Sequence, residues 1–582
     1  MEKDIYSFMS EKLHDPIHER RTCHLSSEDF AVYAWDVELL SLLSPTIAGK
    51  KYSLPLPTVT RQERQKQLMV RRNERALYRR ESDLSGTSIL SVYKPSCPYK
   101  LYTVAERRSD DRDAIDYARD IDWSTSIFEQ IQELRLEVPH LALINDNMST
   151  NSMYCNQTAH LKNCYLTFNS DNLEQCHYSW WAKHSSHSMD GARMMHCEQC
   201  YELTDCSWCF SLRVATDCEA CSYSTFMHQC KNCKDCFWCV NLVNKQYCFF
   251  NEQLTKEAYE EKISSVDLWS REVYEEWKDG FETFKNRFPH RATSQRRTEK
   301  STGHFLQDAE ACMCCFETMN AQRCRYVGDI DNGAKDCMDY NTWWDNSQRI
   351  YSCVTVGENA NNILFSINCR PDVSNLLYCD ECVMSKDCFW CVGLKNKQYC
   401  IFNKQYTKEE YIETLWRLLS YMDELGELWT FFPKEHAPFA YNESVAQTYY
   451  PLEKQEALAQ GYTRQDTIFD VNISSSIEPL TILPDHISDV DDSILEKIIQ
   501  CPVSQRFFRI VESELSFYRK HQLPIPMHHP DVRFAQRIAH RPARNLYLAQ
   551  CQKSQKSILT VHSPDSPFPV WSEEVWDKEF LG

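Results

Sequence analysis

Cys218-Glu-Ala-Cys-Ser-Tyr-Ser-Thr-Phe-Met-His-Gln-Cys-Lys-Asn-Cys-Lys-Asp-Cys-Phe-Trp-Cys239 carries a small or unbranched apolar side chain at every third position. The same register runs outward from Cys155 to Leu242. Its thirty positions hold thirteen Cys, five Leu, five Ser, two Thr, two Ala, two Met and one Gly. No charged or aromatic residue occupies it, although both crowd the positions between. A strict period of this kind belongs to a coiled, repetitive backbone with narrow inward slots. Cys206/Cys209, Cys218/Cys221 and Cys230/Cys233 recur every twelve residues. That spacing predicts a four-sided β-solenoid with one inward residue per triplet. Its coils would lie ~4.8 Å apart, so that equivalent cysteines form ladders.

A second array spans about Cys312 to Cys400 and keeps the triplet register at both ends. In its middle Cys337, Cys353 and Cys369 are sixteen apart, which predicts larger, less regular coils. Both arrays end alike: Lys234-Asp-Cys-Phe-Trp-Cys239 matches Lys386-Asp-Cys-Phe-Trp-Cys391, and Asn244-Lys-Gln-Tyr-Cys248 matches Asn396-Lys-Gln-Tyr-Cys400. Lys245 and Lys397 break the inward register, as a solenoid cap would. Thr407 with Glu410 forms a capping box for the helix that follows, and Thr255 starts its counterpart. The termini are duplicated too. Leu54-Pro-Leu-Pro57 matches Leu523-Pro-Ile-Pro526, and Ile89-Leu-Ser-Val92 matches Ile558-Leu-Thr-Val561, without a gap.

The predicted fold class is mixed and β-dominated: two cysteine-lined β-solenoid arrays alternate with helical segments, between two related α+β modules. The modules resemble degenerate zinc ribbons, because Cys23-His-Leu-Ser26, Ser82-Asp-Leu-Ser85, Cys501-Pro-Val-Ser504 and Cys551-Gln-Lys-Ser554 are C-x2-C knuckles with ligands replaced by serine. The expected segments are an N-terminal module over 1–120, the first solenoid over 121–254, a helical connector over 255–300, the second solenoid over 301–406, a helical segment over 407–495 and a C-terminal module over 496–582.

Of 582 residues, 42% are hydrophobic, which suffices for several cores. Only 12 are glycine, leaving little material for glycine-rich nucleotide loops. A net charge of -19 argues against a general nucleic-acid coat. Thirty cysteines, no apolar leader after Met1 and no apolar run of ~18 residues predict a cytoplasmic protein with reduced thiols and no membrane partner.

Two constellations could carry chemistry. The C-x2-C pairs Cys206/Cys209 with Cys218/Cys221, Cys230/Cys233 with Cys236/Cys239, and Cys388/Cys391 have the spacing of zinc thiolates. The competing reading is a buried thiol ladder, since cysteine also behaves as a small hydrophobe. Folding requires no cofactor in this reading; zinc is the candidate metal. The second constellation is basic. The terminal helices carry Arg71, Arg72, Arg75, Arg541 and Arg544, candidates for contact with an anionic partner, nucleic acid or protein, against an alternative in which they pair with the acidic solenoids. Trp180-Trp181 and Trp343-Trp344 are candidate stacking platforms or helix supports. No His-Glu-x-x-His, Gly-x-Ser-x-Gly or phosphate loop is present.

The runs Arg71-Arg-Asn-Glu-Arg-Ala-Leu-Tyr-Arg-Arg80, Ile89-Leu-Ser-Val-Tyr-Lys-Pro95, Asp116-Tyr-Ala-Arg-Asp-Ile-Asp122, Asn163-Cys-Tyr-Leu166 and Asp489-Val-Asp-Asp-Ser-Ile-Leu495 resemble a cysteine-rich repeat family of candidate-phyla bacteria known from metagenomes. The resemblance implies zinc-ribbon-like terminal modules. The chain departs from that pattern at Ser26, Ser82, Ser85, Ser504 and Ser554. The combined expectation is a non-enzymatic scaffold or binding protein with a rigid solenoid surface and basic modules for an anionic partner such as RNA. The alternative is a zinc, iron–sulfur or redox protein using the C-x2-C pairs.

Overall fold

The computed structural model describes residues 4–582 apart from 48, 146–147, 193–214, 217, 296–297, 299, 319–321, 326–327, 329–334, 342–347, 356–358 and 467–477. The chain is β-rich, with a β-solenoid of about 17 turns and, among the described residues, thirteen α-helices. No described helix is long and apolar enough to cross a membrane. Short parallel strands pair one coil apart. Phe168–Glu174 lies on Asn156–Lys162, and Lys234–Val240 on Thr225–His228, each at a twelve-residue step. The second array begins the same way, widens to thirteen residues between Gly328 and Asp380, and returns to twelve. The sixteen-residue spacing of Cys337, Cys353 and Cys369 is therefore one thirteen-residue coil plus one three-residue side, so these thiols step round a corner instead of stacking.

In the first array every described side of a coil ends at a left-handed residue. Tyr154, Gln157, His160, Asn163, Leu166, Asn169, Asn172 and Gln175 all have φ between 49° and 58°, and the pattern persists through both arrays. Each precedes an inward position, so the chain turns ninety degrees, one quarter of a coil, at every triplet. Asn tolerates this conformation best among residues with a side chain, and Asn is frequent at these corners. At the exposed corner Gln175, with φ 53°, Gln175→Gly should raise the urea midpoint by the equivalent of about 0.5–1 kcal/mol, and Gln175→Val should lower it by at least as much. Equal midpoints for the two variants would contradict the corner assignment.

The inward slots explain the composition. Cys230 Sγ donates to His228 O at 3.3 Å and Cys382 Sγ to Asp380 O at 3.6 Å, two residues back in each case. Ser170 and Ser185 make the same bond with their hydroxyls, at 2.8 and 2.9 Å. Many thiols also lie against a carbonyl of the next coil, as Cys230 does with Cys239 O at 3.4 Å. The slot thus favours a narrow side chain and accommodates one donor, which Cys, Ser and Thr supply, while Leu, Ala and Met fill others. Cys312 and Cys324, at equivalent positions of successive coils, form a disulfide; the other described cysteines are free.

Outside the coils, aromatic side chains stack from rung to rung. Tyr378 lies parallel to Trp390 at 4.2 Å, flanked by Phe365 and Phe402. The helix Lys408–Glu424 covers this stack with Leu415, Leu418, Leu419 and Met422. In the first array Phe226, Trp238 and Phe250 are covered by Phe281 and Phe284 of the helix Arg271–Lys285.

The two halves dock crosswise. The helix Ile127–Glu137 precedes the first array yet packs on the second, with Phe128 at 5.2 Å from Trp390 and Arg135 Nε at 2.8 Å from Asp380. Arg271–Lys285 precedes the second array yet packs on the first. The terminal modules follow the same rule. The helix Arg61–Met69 meets the second array, where Arg64 pairs with Asp339; the helix Pro530–Ala539 meets the first, where Arg533 and Arg537 hold Asp190 at 2.7 and 2.9 Å. A short parallel strand seals each junction: Leu101–Tyr102 pairs with His140–Leu141, and Val570–Trp571 with His290–Arg291.

Each terminal module holds two hairpins whose knuckle abuts a helix start. Cys23 Sγ, Cys501 Sγ and Cys551 Sγ accept N–H bonds from Ser26, Ser504 and Ser554 at 3.4, 3.5 and 3.4 Å, and Ser82 Oγ accepts from Ser85 at 3.4 Å. Ser572, the N-cap of Glu573–Phe580, also donates its N–H to Cys551 Sγ at 3.4 Å. Burial opposes ionisation of Cys551, but these N–H donors outweigh it and bring the thiol down to about 7. Cys501 and Cys551 sit in separate apolar clusters, so the two knuckles of the C-terminal module each face their own helix.

Candidate functional site: a cleft where the two halves meet

A cavity of about 1260 Å³ opens where the terminal modules, the first array and the segment 442–451 converge. Local sequence builds each wall. From the N-terminal module comes the start of the hairpin strand Tyr78–Glu81, from the C-terminal module the strand Phe507–Phe508 and the helix Pro530–Ala539, and from the solenoid the rung aromatics.

The inner wall is a set of arginines laid flat on rings. Arg75 lies over Phe534 at 3.9 Å and Phe168 at 4.8 Å. Arg544 lies over Tyr449 at 3.2 Å. Asp531 bridges Arg75 at 2.8 Å and Arg506 at 2.6 Å. Glu317, reaching across from the second array, holds Arg541 and, at 2.8 Å, Arg544. Glu74 accepts from Trp180 Nε1 at 2.6 Å and pairs with Arg72. Burial alone would raise the Asp531 carboxyl; Arg75, His529 and Arg506 outweigh it and hold it far below the ordinary carboxylate range. Burial pushes the neighbouring His529 down to about 4, so it is neutral at pH 7.

The five arginines singled out by charge asymmetry follow the helices Arg61–Met69 and Pro530–Ala539 instead of lying on them; Arg75, Arg541 and Arg544 line the cavity, Arg71 and Arg72 do not, and all five are engaged within the chain. Arg71 donates to the carbonyls of Phe432 and Pro433 at 2.9 and 2.6 Å. Arg72 bonds Asn341 and Glu74, Arg75 pairs with Asp531, and Arg541 and Arg544 pair with Glu317. Arg79 and Arg509, which sequence reasoning did not single out, are exposed at the cleft mouth. Arg79 donates to Tyr154 OH at 2.9 Å. Arg509 makes no hydrogen bond, ion pair or ring contact among the described residues. The signal that could have found it is Arg506-Phe-Phe-Arg509, an aromatic pair between two cations.

The candidate metal cysteines sit elsewhere. Cys206 and Cys209 lie outside the described residues, as do Trp343 and Trp344. Cys218, Cys221, Cys230, Cys233, Cys236 and Cys239 line the interior of the first array, and Cys388 and Cys391 that of the second. Burial pushes the Cys230 and Cys391 thiols well above their ordinary range. Among the described residues no three His, Cys, Asp or Glu side chains are grouped to hold a metal ion. Trp180 and Trp181 are buried, Trp180 against Phe534 at 5.5 Å.

Compared with known proteins, the chain matches no protein-family model, no curated protein and no solved structure.

Proposed function

We propose that this protein is a non-enzymatic binding protein, in which the solenoid pair is a rigid scaffold and the central cleft takes a ligand bearing negative charge. One observation carries the reading. The cleft wall holds six arginines against four carboxylates, in a chain whose net charge is -19. All four carboxylates are engaged: Glu74 and Glu317 with arginines and Trp180, Asp531 with Arg75 and Arg506, Glu443 with Tyr78 and the Ala440 N–H. The excess positive charge is left to Arg79 and Arg509 at the mouth. Low-dielectric walls focus such a field and raise the local concentration of anions. The terminal modules, in this reading, are zinc-ribbon-like units that keep the knuckle fold without metal, their N–H donors serving a thiol or hydroxyl in place of a zinc thiolate.

Calorimetric titration with inorganic tripolyphosphate tests the reading. Binding should weaken with added salt, and an Arg79→Ala, Arg509→Ala double variant should lose about tenfold or more in affinity, two charge-assisted contacts being removed. A double variant that binds as the parent does would remove the cleft from consideration.

A further inference from the structure

Resting on that reading, we propose that the cleft is a nucleotide site: a planar base enters the cavity and its phosphate stays at the mouth, the unit of a single-stranded RNA or of a free nucleotide. Three observations converge on this chemistry.

The first is an unused aromatic face beside an unused cation. Phe507 is half-buried in the cleft wall and, among the described residues, contacts no other ring and no cation. The neighbouring Phe508, by contrast, is buried with its ring 6.0 Å from His529. Two residues on, Arg509 stands exposed. A base on Phe507 would bring its phosphate towards Arg509, because one nucleotide spans about the length of two residues of extended strand. Also lining the cavity, Tyr154 and Arg79 offer a second ring and a second cation, joined by their 2.9 Å hydrogen bond.

The second is a pair of orphaned polar atoms on two residues of the wall. Arg75 Nη1 and Gln447 Oε1 are buried and, among the described residues, have no hydrogen-bond partner. One is a donor, the other an acceptor. An orphaned buried polar atom has given up its hydrogen bonds to water without replacement. A ligand that enters with an amide-like edge relieves both, and a base edge presents such donors and acceptors. A hydrocarbon chain would leave them orphaned, which disfavours an anionic amphiphile for the same cavity.

The third is charge. The cations are all arginine, with no lysine in the wall. Planar guanidinium groups bind phosphate bidentately and stack on rings.

The test uses the full chain and fluorescence anisotropy of a 5′-labelled hexa-adenylate RNA, with an abasic hexamer of equal charge and adenosine monophosphate as competitors. The expected result is that hexa-adenylate binds at least tenfold tighter than the abasic strand. Phe507→Ala should erase most of that difference while leaving abasic binding unchanged. Gln447→Leu should weaken base-containing ligands alone. Competition by the monophosphate at similar concentration identifies a free nucleotide, and competition by strands alone identifies RNA; either supports a base in the cleft. Equal affinity for the abasic and base-containing strands overturns this inference while the anion reading stands. Absence of binding by every ligand, tripolyphosphate included, overturns both. Should Phe507→Ala fail to fold, the abasic comparison on the parent chain decides alone.

Discussion

Asp190→Ala should cost about 3–5 kcal/mol of conformational stability, read as a fall in the urea midpoint at unchanged slope. Asp190 sits on the first array with its side chain fully buried. It accepts from Arg533 at 2.7 Å and Arg537 at 2.9 Å, both on the helix Pro530–Ala539 and both buried. Removing the carboxylate strands two guanidinium groups in a place water does not reach. Arg533 retains Tyr518 OH at 2.9 Å and Glu514 at 3.6 Å; among the described residues Arg537 has no second ion pair to fall back on. The large cost follows from the unpaired cations, and a buried pair is worth far less when both partners are replaced together. Asp190→Leu combined with Arg537→Leu should therefore be milder than Asp190→Ala alone. As a contrast, Asp492 pairs with Arg519 at 2.6 Å on the surface, and Asp492→Ala should move stability by less than about 1 kcal/mol. If the Asp190 and Asp492 variants behave alike, the C-terminal module is not anchored through Asp190.

Acid should loosen the opposite junction before it reaches the carboxylates that are held low. His228 of the first array, His290 of the connector and His562 of the C-terminal module form one column, with ring centroids 4.6 Å apart for the first pair and 5.8 Å for the second, and His290 stacked on Phe568 at 3.6 Å. Burial pushes His290 down to about 3 and His562 to about 4, and drives His228 well below its ordinary value, with His290, Lys285, His562 and His540 adding like charge. These groups bind protons in the unfolded chain at about pH 6.5 and resist them in the folded one. Stability is therefore full above that pH and declines as pH falls towards about 3. From pH 7 to pH 5 each such histidine should cost about 2 kcal/mol. Carboxylates held low, such as Asp531 and Glu381, contribute their loss only further down. Among the described residues neither His228 ring nitrogen has a partner, so His228→Leu removes a protonation site without breaking a hydrogen bond seen there. The variant should lose about 2 kcal/mol less than the parent between pH 7 and pH 5. His177 and His529, also pushed down to about 4, act equally in both chains and cancel. Superimposable pH profiles for parent and variant would show that the column does not titrate with folding.

At the equivalent junction the same position is built differently. His140 stacks on Tyr99 at 4.5 Å and faces Glu381 at 3.2 Å, beside the Arg135–Asp380 pair. His140 and His290 each follow a proline at the end of a helix, and Tyr99 and Phe568 fall at the same spacing that relates the terminal modules. This correspondence was open to sequence inspection, but two histidines in unlike surroundings carry no periodicity to flag them.

The solenoid was legible because its constraint is local and repeated. Each coil turns a small or apolar side chain inward at every third residue, most often Cys, Ser or Thr, and that register declares it. The left-handed corners were less legible. Asn163, Asn169, Asn172, Asn232, Asn241 and Asn244 mark some of them, while Tyr178, Trp181 and Phe226 mark others and show no preference for such backbone. The arginines at the centre were visible as charge, and their partners were not: Arg541 meets Glu317 across more than two hundred residues, a contact with no trace in local pattern.

By itself the sequence determined the coil period, the inward positions, the capped helices and the duplicated ends, since each follows from backbone geometry over a few residues. The tertiary structure alone decided the crosswise docking of the halves, the engagement of Arg71, Arg72, Arg75, Arg541 and Arg544 by partners within the chain, and the cleft with Phe507, Arg79 and Arg509 at its mouth. Those features depend on which distant surfaces exclude water from one another, and long-range burial is a property of the folded whole, which no stretch of neighbouring residues encodes.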